Sequence, residues 1–274
     1  MSSSKRFQRT LRYIRNRWPI YFGLYGLLVM AMLLIGIGLA SGWYSFIPFA
    51  LAIMLVATYF LVAHVYVAYL LNDAPNGTAA DILIDLGQTR PHHHVVCIDL
   101  GLRETAVSIA RQLTTGKVSV IDIYNPQSNL KTTLHRARDS APKPPSDPRL
   151  NWIDGSINLL PLPDHSVHAV YVNQILSELW IAEERDQLLN EILRILIPEG
   201  RLLLAEPIRA QTNLLLTGIV TYLLPTEKYY LRMLVKAGFV YQRDEIARGV
   251  LYCARFDKPS PAAGKQMQLK LEFI

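Results

Sequence analysis

Four apolar, strand-like runs of this chain each end in an acidic or small polar residue. They read VVCID, VSVID, LNWID and VHAVYVN, and they end at Asp99, Asp122, Asp154 and Asn173. A fifth run, RLLLAE, follows a Pro-Glu-Gly turn and ends at Glu206. Parallel strands bring their carboxyl ends to one edge of a sheet, where ligands bind. We therefore expect these side chains to form a site for a ligand with hydroxyl groups, an amine and positive charge.

Strand and helix patterns alternate along this region, which favours a doubly wound α/β sheet with right-handed crossovers. No helix pattern separates the last two strand patterns, so we expect an antiparallel pair at one edge of the sheet. The strand patterns lie at 95–99, 117–122, 150–153, 167–172, 201–205, 239–245 and 250–256, and the helix patterns at 78–87, 104–115, 127–138, 175–196 and 226–237.

A long stretch from Trp18 to Asn72 contains no Asp, Glu, Lys or Arg. About 20 apolar residues suffice for a helix to cross the hydrocarbon core of a bilayer. The stretch has room for two such helices, at 20–40 and 46–71, with a turn at 41–43. A helical hairpin of a soluble core rarely lacks a polar face, and the apolar run is too long for a cleaved signal peptide. The sequence therefore predicts a transmembrane helical hairpin that remains as an anchor.

The net charge of +6 arises at the N-terminus, because six cations precede the first acid, Asp73. The rest of the chain is neutral, so the charge does not point to a nucleic-acid partner. Cations before a first crossing predict a cytoplasmic N-terminus, and two crossings return the large domain to the cytoplasm. The spacing of Phe7, Leu11, Ile14 and Trp18 predicts an amphipathic helix on anionic lipid, with a frayed tail as the open alternative. The six cations are Lys5, Arg6, Arg9, Arg12, Arg15 and Arg17.

The cysteine and histidine positions match no disulfide or metal pattern. Cys97 and Cys253 both lie in strand patterns, which predicts buried free thiols in a reducing compartment. There is no C-x-x-C pair and no zinc-ligand spacing, and the run His92–His94 follows a proline in a loop. We therefore expect no metal.

The turn after the first strand carries one glycine. The chain reads Leu-Gly-Leu-Arg-Glu after VVCID and then enters a helix pattern. Gly101 lets the backbone approach a ligand, and the start of the helix offers free N–H groups. Asp122 ends the next strand, at the spacing with which doubly wound folds hold a ribose diol. A single glycine is not a fingerprint, so this pattern is weak when taken alone.

Later segments make the pattern specific. The segments NWIDGSINLLPLPDHSVHAVYVNQILSEL, EILRILIPEGRLLLAEP and LRMLVKAGFV resemble class I S-adenosylmethionine-dependent methyltransferases, above all the ubiquinone/menaquinone-biosynthesis and sterol methyltransferase group. The resemblance covers about residues 78–256. It is most specific at EILRILIPEGRLLLAEP, where the family has a helix that ends in Leu-Lys-Pro-Gly-Gly before a strand.

The resemblance implies a Rossmann-like methyltransferase sheet that binds S-adenosylmethionine. In the family the first turn reads acidic-x-Gly-x-Gly-x-Gly, whereas this chain has Arg103 and Thr105 in place of the later glycines. The implied cofactor-binding residues are Asp99 and Gly101 at the methionine end, Asp122 at the ribose diol, Asp154 near the adenine amine, Ile153 beside the adenine ring, and Asn173 facing cofactor and substrate.

Methyl transfer is a direct displacement, in which positioning is the main catalytic effect and no nucleophilic side chain is required. An acceptor that is a phenol or a carbon acid needs a general base. The weak candidates for that base are Glu178, His165 and Glu206, each of which is more often a solvated or supporting residue.

An apolar segment, Leu214–Leu224, lies where this family places its substrate cover, and it is too short to span a bilayer. It either receives a lipid at the membrane interface or packs as an ordinary helix against the sheet. We therefore expect S-adenosylmethionine as cofactor and a lipid-like acceptor, such as a prenylated quinone precursor, an amino-phospholipid, a sterol-like lipid or a carotenoid.

Two other functions stay open at this point. The altered glycine turn fits a degenerate domain that acts as a binding or scaffold protein at the membrane without catalysis. A nicotinamide-dependent enzyme is disfavoured because no G-x-G-x-x-G is present. The predicted parts of the chain are a basic segment at 1–19, two transmembrane helices at 20–72, a methyltransferase domain at 78–258 and a tail at 259–274.

Overall fold

The structure, a computed structural model, describes residues 7–74, 77–90, 92–112, 116–127, 132–143 and 146–260. Most of the predicted tail lies outside the described residues. The chain forms two compact units. The helical unit comprises Met1–Pro75 and Gln211–Tyr222, and the sheet unit comprises Asn76–Ala210 and Leu223–Ile274.

The helical unit contains two long apolar helices that pack against each other. A proline stands in the first turn of each, where its missing N–H breaks no hydrogen bond. Both helices are long and apolar enough to cross a membrane. The described helices of this unit are α1 at Gln8–Asn16, α2 at Trp18–Ala40, α3 at Ile47–Asn72 and α8 at Gln211–Thr217. A 3₁₀ turn lies at Tyr44–Phe46, and a second, Gly218–Leu223, belongs to this unit up to Tyr222.

The short helix α1 is fastened to the end of α3. The backbone N–H and the hydroxyl of Thr10 both donate to Oδ2 of Asp73, at 2.8 and 2.7 Å. The ring of Phe7 lies 5.8 Å from the ring of Tyr69. The basic segment is therefore a helix held against its own unit and not a frayed tail over residues 8–16.

The sheet unit contains a seven-stranded sheet in the order β3-β2-β1-β4-β5-β7-β6. The first five strands in this order are parallel, and β7 is antiparallel to both β5 and β6. The predicted α/β sheet with an antiparallel edge pair is thus confirmed. The strands are β1 at Val95–Asp99, β2 at Val118–Asp122, β3 at Leu150–Asp154, β4 at Val167–Asn173, β5 at Leu196–Pro207, β6 at Val240–Ala247 and β7 at Leu251–Asp257.

Helices flank the sheet and bury apolar side chains against it. The first of them begins at a capping box, in which Thr78 and Asp81 satisfy each other's backbone N–H groups. The parallel strands β1, β2 and β4 and the second half of β5 are mostly apolar and buried, as expected inside a parallel sheet, whereas the edge strand β6 is mostly exposed. Cys97 and Cys253 are buried and free, as predicted. The helices are α4 at Ala79–Gly87, α5 at Glu104–Gln112, α6 at Thr132–Asp139, α7 at Ala182–Ile195 and α9 at Glu227–Lys236.

One sequence prediction needs correction, and the structure also bears on one alternative that the sequence left open. The helix predicted at 175–196 begins only at Ala182, because the segment before it follows the left-handed Gln174 and binds its backbone N–H groups to a side chain of β5. The apolar segment Leu214–Leu224 is not one helix of the sheet unit. Most of it, up to Tyr222, belongs to the helical unit, where α8 contacts α3.

Candidate functional site

The carboxyl edge of the parallel strands brings together the polar residues that the sequence predicted there. In the sheet register Asp99 pairs with Asp122, and Asp122 pairs with Asp154. On the other side of β1, Ile98 pairs with Val172, so Asn173 stands beside Asp99 at the strand ends. We call the space outside the ends of β1 and β2, around Gly101 and Asp122, the crevice.

Asp99 holds the turn that follows β1. Its carboxylate is only 8% exposed and accepts N–H groups from Leu102 at 3.3 Å and from Arg103 at 2.7 Å. Burial raises the pKa of Asp99, although these N–H groups oppose the shift. Asp99 therefore mainly stabilises the turn through hydrogen bonds, and Gly101 adopts the left-handed backbone conformation, at φ 81°, that the turn requires.

The two residues that replace family glycines both take up defined roles. Arg103 adopts φ 68°, a conformation that glycine reaches without steric cost, and its Nη1 donates to the carbonyl of Pro142 at 2.8 Å. Thr105 lies in the first turn of α5, and its hydroxyl accepts a hydrogen bond from Nδ2 of Asn173 at 2.8 Å. The turn is thus well ordered by contacts despite its altered sequence.

Asn173 has one polar atom left over. Its Oδ1 is buried and has no hydrogen-bond partner within the part of the chain that the structure describes. A buried amide oxygen without a donor is costly and therefore uncommon. Such an atom beside the crevice is suited to accept a hydrogen bond from a ligand.

Asp122 is engaged by an arginine that the sequence analysis missed. Nη1 of Arg138, on α6, lies 2.6 Å from Oδ2 of Asp122 and donates to the carbonyl of Leu100 at 3.0 Å. The guanidinium lies 4.4 Å from the ring centroid of Tyr124. It also lies so close to Gly101 that a Cβ atom there would overlap it. No strand-end pattern could reveal Arg138, because it reaches the crevice from a helix.

A cavity of about 370 Å³ adjoins these strand ends. It is lined by Ile123–Pro126 after β2, by Gly155–Asn158 after β3, and by Leu179, Glu184 and Gln187. Its size suits a small organic ligand. Ile153 is half-buried and Asp154 is exposed, and the cavity lining comes from the residues that follow them.

Glu206 is placed as a support and not as an accessible base. Its side chain is fully buried, and it accepts backbone N–H groups from Ile175 at 2.8 Å, Leu176 at 2.7 Å and Ser177 at 3.2 Å. Burial raises its pKa to about 7, against the opposing effect of these donors. Glu206 therefore holds the turn that follows Asn173.

The other two candidate bases lie in different places. Glu178 is half-buried in the turn after β4, on the side of the crevice. His165 precedes β4 and so lies at the opposite edge of the sheet, where its Nδ1 is 3.1 Å from the carbonyl oxygen of Leu196 and 2.9 Å from Nζ of Lys258. The structure does not bring His165 to the carboxyl edge.

The histidine run also lies at the opposite edge, before β1. The ring of His93 stacks on that of His168 with centroids 4.6 Å apart, and burial lowers the pKa of His93 to about 4. Nε2 of His94 lies 3.0 Å from the hydroxyl of Ser119. Across the described ranges, no group of three or more His, Cys, Asp or Glu side chains is arranged to hold a metal ion.

The chain is similar to solved structures at low sequence identity. A SAM-dependent methyltransferase from Aquifex aeolicus is 16% identical and has a TM-score of 0.50, covering 65% of this chain and 88% of its own. One from Methanosarcina mazei is 17% identical with a TM-score of 0.49, covering 65% and 97%. The [4+2]-cyclase SpnF is also 17% identical with a TM-score of 0.49, covering 66% and 80%.

A family model described as "Methyltransferase domain" matches residues 98–204, which run from β1 to β5. The residues present fit the family's cofactor in part. Oδ1 of Asn173 offers an acceptor and Gly101 an open backbone, whereas Arg138 lies over that backbone. The match shows a methyltransferase domain at residues 98–204, and the sheet unit has the fold of an S-adenosylmethionine-dependent methyltransferase.

Proposed function

We propose that this protein is a membrane-anchored S-adenosylmethionine-dependent methyltransferase that acts on a hydrophobic, lipid-like acceptor. The observation that carries the proposal is the place of the segment after β5. This segment stands where the family has its substrate cover, yet it belongs to the helical unit, and α8 contacts α3 there. A segment that the family uses at its acceptor site, and that here belongs to an apolar helical unit, suits a lipid-like acceptor.

The apolar surface of the long helices supports the membrane part of the proposal. In the most apolar 18-residue stretch of Trp18–Ala40 only 11% is buried, and in that of Tyr44–Asn72 only 17% is buried. A core helix of a soluble protein would bury most of its apolar side chains. In water this exposed surface would be strongly unfavourable, whereas in a bilayer it costs nothing.

The polar side chains of α3 are satisfied within the helix itself. The hydroxyl of Thr58 donates to the carbonyl of Met54 at 2.8 Å, and Nδ2 of Asn72 donates to that of Ala68 at 2.8 Å. Nδ1 of His64 lies 2.7 Å from the carbonyl oxygen of Phe60. Such internal bonds suit a hydrocarbon environment, which offers no water as a partner.

The cations at the N-terminus support the orientation of the anchor. Positive residues before a first crossing favour the cytoplasmic side, and two crossings leave the sheet unit on that side. We therefore propose an integral membrane protein with its methyltransferase domain in the cytoplasm, located in the inner or plasma membrane if the cell is bacterial.

The proposed roles in the cofactor site follow the strand ends. When bound, S-adenosylmethionine supplies the electrophilic methyl group. Asn173 accepts a hydrogen bond from the ligand, and the carboxylates favour its positive charge. The proposed cofactor-binding residues are Asp99 and Gly101 at the methionine end, Asp122 at the ribose, Ile153 and Asp154 at the adenine, and Asn173 between cofactor and acceptor.

The contribution of the protein to the transfer is positioning. Asp99 holds the turn after β1 and Glu206 holds the turn after Asn173, and together these turns would order the residues around a bound cofactor. Exact placement of two reactants is worth up to about 7–11 kcal/mol in ideal cases. An acceptor that must lose a proton needs a base. Glu178 is then the candidate, since Glu206 is occupied by backbone donors and His165 lies at the other edge.

Labelling the product tests the proposal. The full-length protein in its native membranes is incubated with methyl-labelled S-adenosylmethionine and then extracted with organic solvent. We expect label in the organic phase, loss of that label in Asp99→Ala, and no change in the control Asp147→Ala, whose carboxylate pairs with Arg149 outside the strand ends. Label found only in water-soluble products would contradict the lipid acceptor.

A binding or scaffold protein at the membrane is the second candidate function. It is favoured by Arg138, which lies over Gly101, and by the two residues that replace family glycines. If the folded protein transfers no label and calorimetry detects no binding of S-adenosylmethionine, the scaffold is the better description.

A further inference from the structure

We propose that Arg138 determines the cofactor preference of the crevice, by disfavouring the cationic methyl donor relative to the uncharged product. This inference rests on the proposed function, since it assumes that S-adenosylmethionine binds at the strand ends. It concerns a residue that the glycine turn and the strand-end acids do not reveal.

The position of Arg138 is the first step. Its guanidinium pairs with the carboxylate of Asp122, lies over the ring of Tyr124, and donates a hydrogen bond to the carbonyl of Leu100. It also covers Gly101, where a Cβ atom would overlap it. Arg138 therefore lies in the space that the ribose and the methionine end of the cofactor require.

Exchange of partners is the second step. A ribose diol that binds Asp122 must take the carboxylate oxygen that now faces Nη1 of Arg138. The guanidinium then has to turn away from both Asp122 and Gly101. Its positive charge nevertheless stays near the crevice, because Arg138 is a residue of α6 and its guanidinium can remain against the aromatic ring of Tyr124.

The charge of the ligand is the third step. S-adenosylmethionine carries a sulfonium, an ammonium and a carboxylate, and so has one net positive charge, whereas S-adenosylhomocysteine has none. The strand-end carboxylates Asp99, Asp122 and Asp154 favour the positively charged donor. The positive charge of Arg138 offsets the negative charge of one of them, Asp122. A cation that remains within a Debye length, about 8–10 Å, repels the sulfonium but not the neutral thioether.

Binding measurements on the full-length protein in detergent micelles test this assignment. The dissociation constants of S-adenosylmethionine and S-adenosylhomocysteine are measured by calorimetry for the wild type, Arg138→Gln and Arg138→Lys. We expect Arg138→Gln to bind the methyl donor about three- to tenfold more tightly and the product by a smaller factor. Arg138→Lys keeps the charge and should keep the wild-type ratio of the two constants.

A matched ion pair provides the control. Arg149 pairs with Asp147 at 2.7 Å, and their side chains are 31% and 23% exposed, against 29% and 19% for Arg138 and Asp122. Arg149→Gln removes an equivalent ion pair outside the crevice and should change neither constant. If Arg138→Gln fails to fold by circular dichroism, Arg138→Met replaces it, since it keeps an apolar stem against Tyr124.

The outcomes separate this inference from the proposed function. If the wild type binds both ligands, and the uncharged variants bind the methyl donor no more tightly than the wild type does, Arg138 is not the discriminating residue. The cofactor site is then still supported. If neither the wild type nor any folded Arg138 variant binds either ligand, the proposed function itself is wrong. A ratio of donor affinity to product affinity that rises only in the uncharged variants, and rises less in high salt, supports the assignment.

Discussion

The helical unit and the sheet unit differ in how far they expose apolar side chains of the same type. Leu33 of α2 is 60% exposed, whereas Leu204 of β5 is 0% exposed. Their polar groups differ as well. In α3, Thr58 and Asn72 bond to carbonyls of their own helix, whereas in the sheet unit Glu206 bonds to the backbone of another segment. The comparison shows that hydropathy alone does not locate a core, because equally apolar side chains are exposed in one unit and buried in the other.

The largest expected effect comes from shortening a buried leucine. Leu204→Ala leaves a cavity in the sheet core and should lower the free energy of unfolding by about 2–5 kcal/mol. Leu33→Ala removes the same atoms from an exposed site and should change it by less than about 0.5 kcal/mol. Thermal unfolding of both variants in detergent micelles measures the difference. Equal losses would show that α2 belongs to a soluble core.

A charge in place of an apolar side chain tests the solvent around each unit. Leu33→Arg places a cation in the middle of α2 and should cost about 2.5–3.5 kcal/mol of membrane insertion. Val235→Arg alters an exposed apolar site on α9 of the sheet unit and should leave insertion unchanged. A membrane-insertion assay on both variants tests directly whether α2 crosses the membrane. Normal insertion of Leu33→Arg would contradict a spanning α2.

The buried carboxyl of Glu206 should make the stability of the sheet unit depend on pH. Its pKa of about 7 lies above the ordinary 4.5, so the folded state holds this proton more tightly than the unfolded state. The resulting stability is fully present below pH 4.5 and is lost as the pH rises through 7, by roughly 3 kcal/mol in total.

Glu206→Gln isolates this dependence from other titrating groups, such as His93. Relative to the wild type, the variant should become more stable as the pH rises from 5 to 8. Denaturant unfolding at several pH values measures the difference between the two proteins. A constant difference over that range would show that Glu206 keeps one protonation state.

At the strand ends, the polar groups should serve a ligand more than the fold. Asp122→Ala should weaken S-adenosylmethionine binding by about 1.5–3 kcal/mol, the range for a hydrogen bond to a charged group, with little loss of stability. Calorimetry and thermal unfolding of the same preparation give both numbers. A folded Asp122→Ala protein that binds as tightly as the wild type would remove Asp122 from the ribose site.

The smallest effect is expected where α1 is fastened to α3. Thr10→Val removes the hydroxyl that donates to Asp73 but keeps the backbone donor, and should cost about 0.5–1.5 kcal/mol. Limited proteolysis near Arg9 and Arg12 should then become faster. Thr58→Val, which loses only a bond within α3, is the control and should leave proteolysis unchanged.

Several elements followed directly from local patterns in the sequence. The helix at 78–87 and the strand ends at Asp99 and Asp122 depend on neighbouring residues or strand periodicity, so they could be predicted. The helix predicted at 175–196 was too long, because the first residues bind Glu206, which is distant in sequence. The family resemblance supplied the sheet topology, which no local pattern contains.

The sequence by itself determined that the chain has an uncharged pair of helices and a row of acids at strand ends, because both depend on residue type and spacing alone. Only the tertiary structure decided what those acids contact. Arg138 reaches Asp122 from α6, and Glu206 of β5 supports the turn beside Asn173. Such contacts join segments that are distant along the chain, and their geometry depends on how the helices pack against the sheet, which spacing along the sequence does not encode.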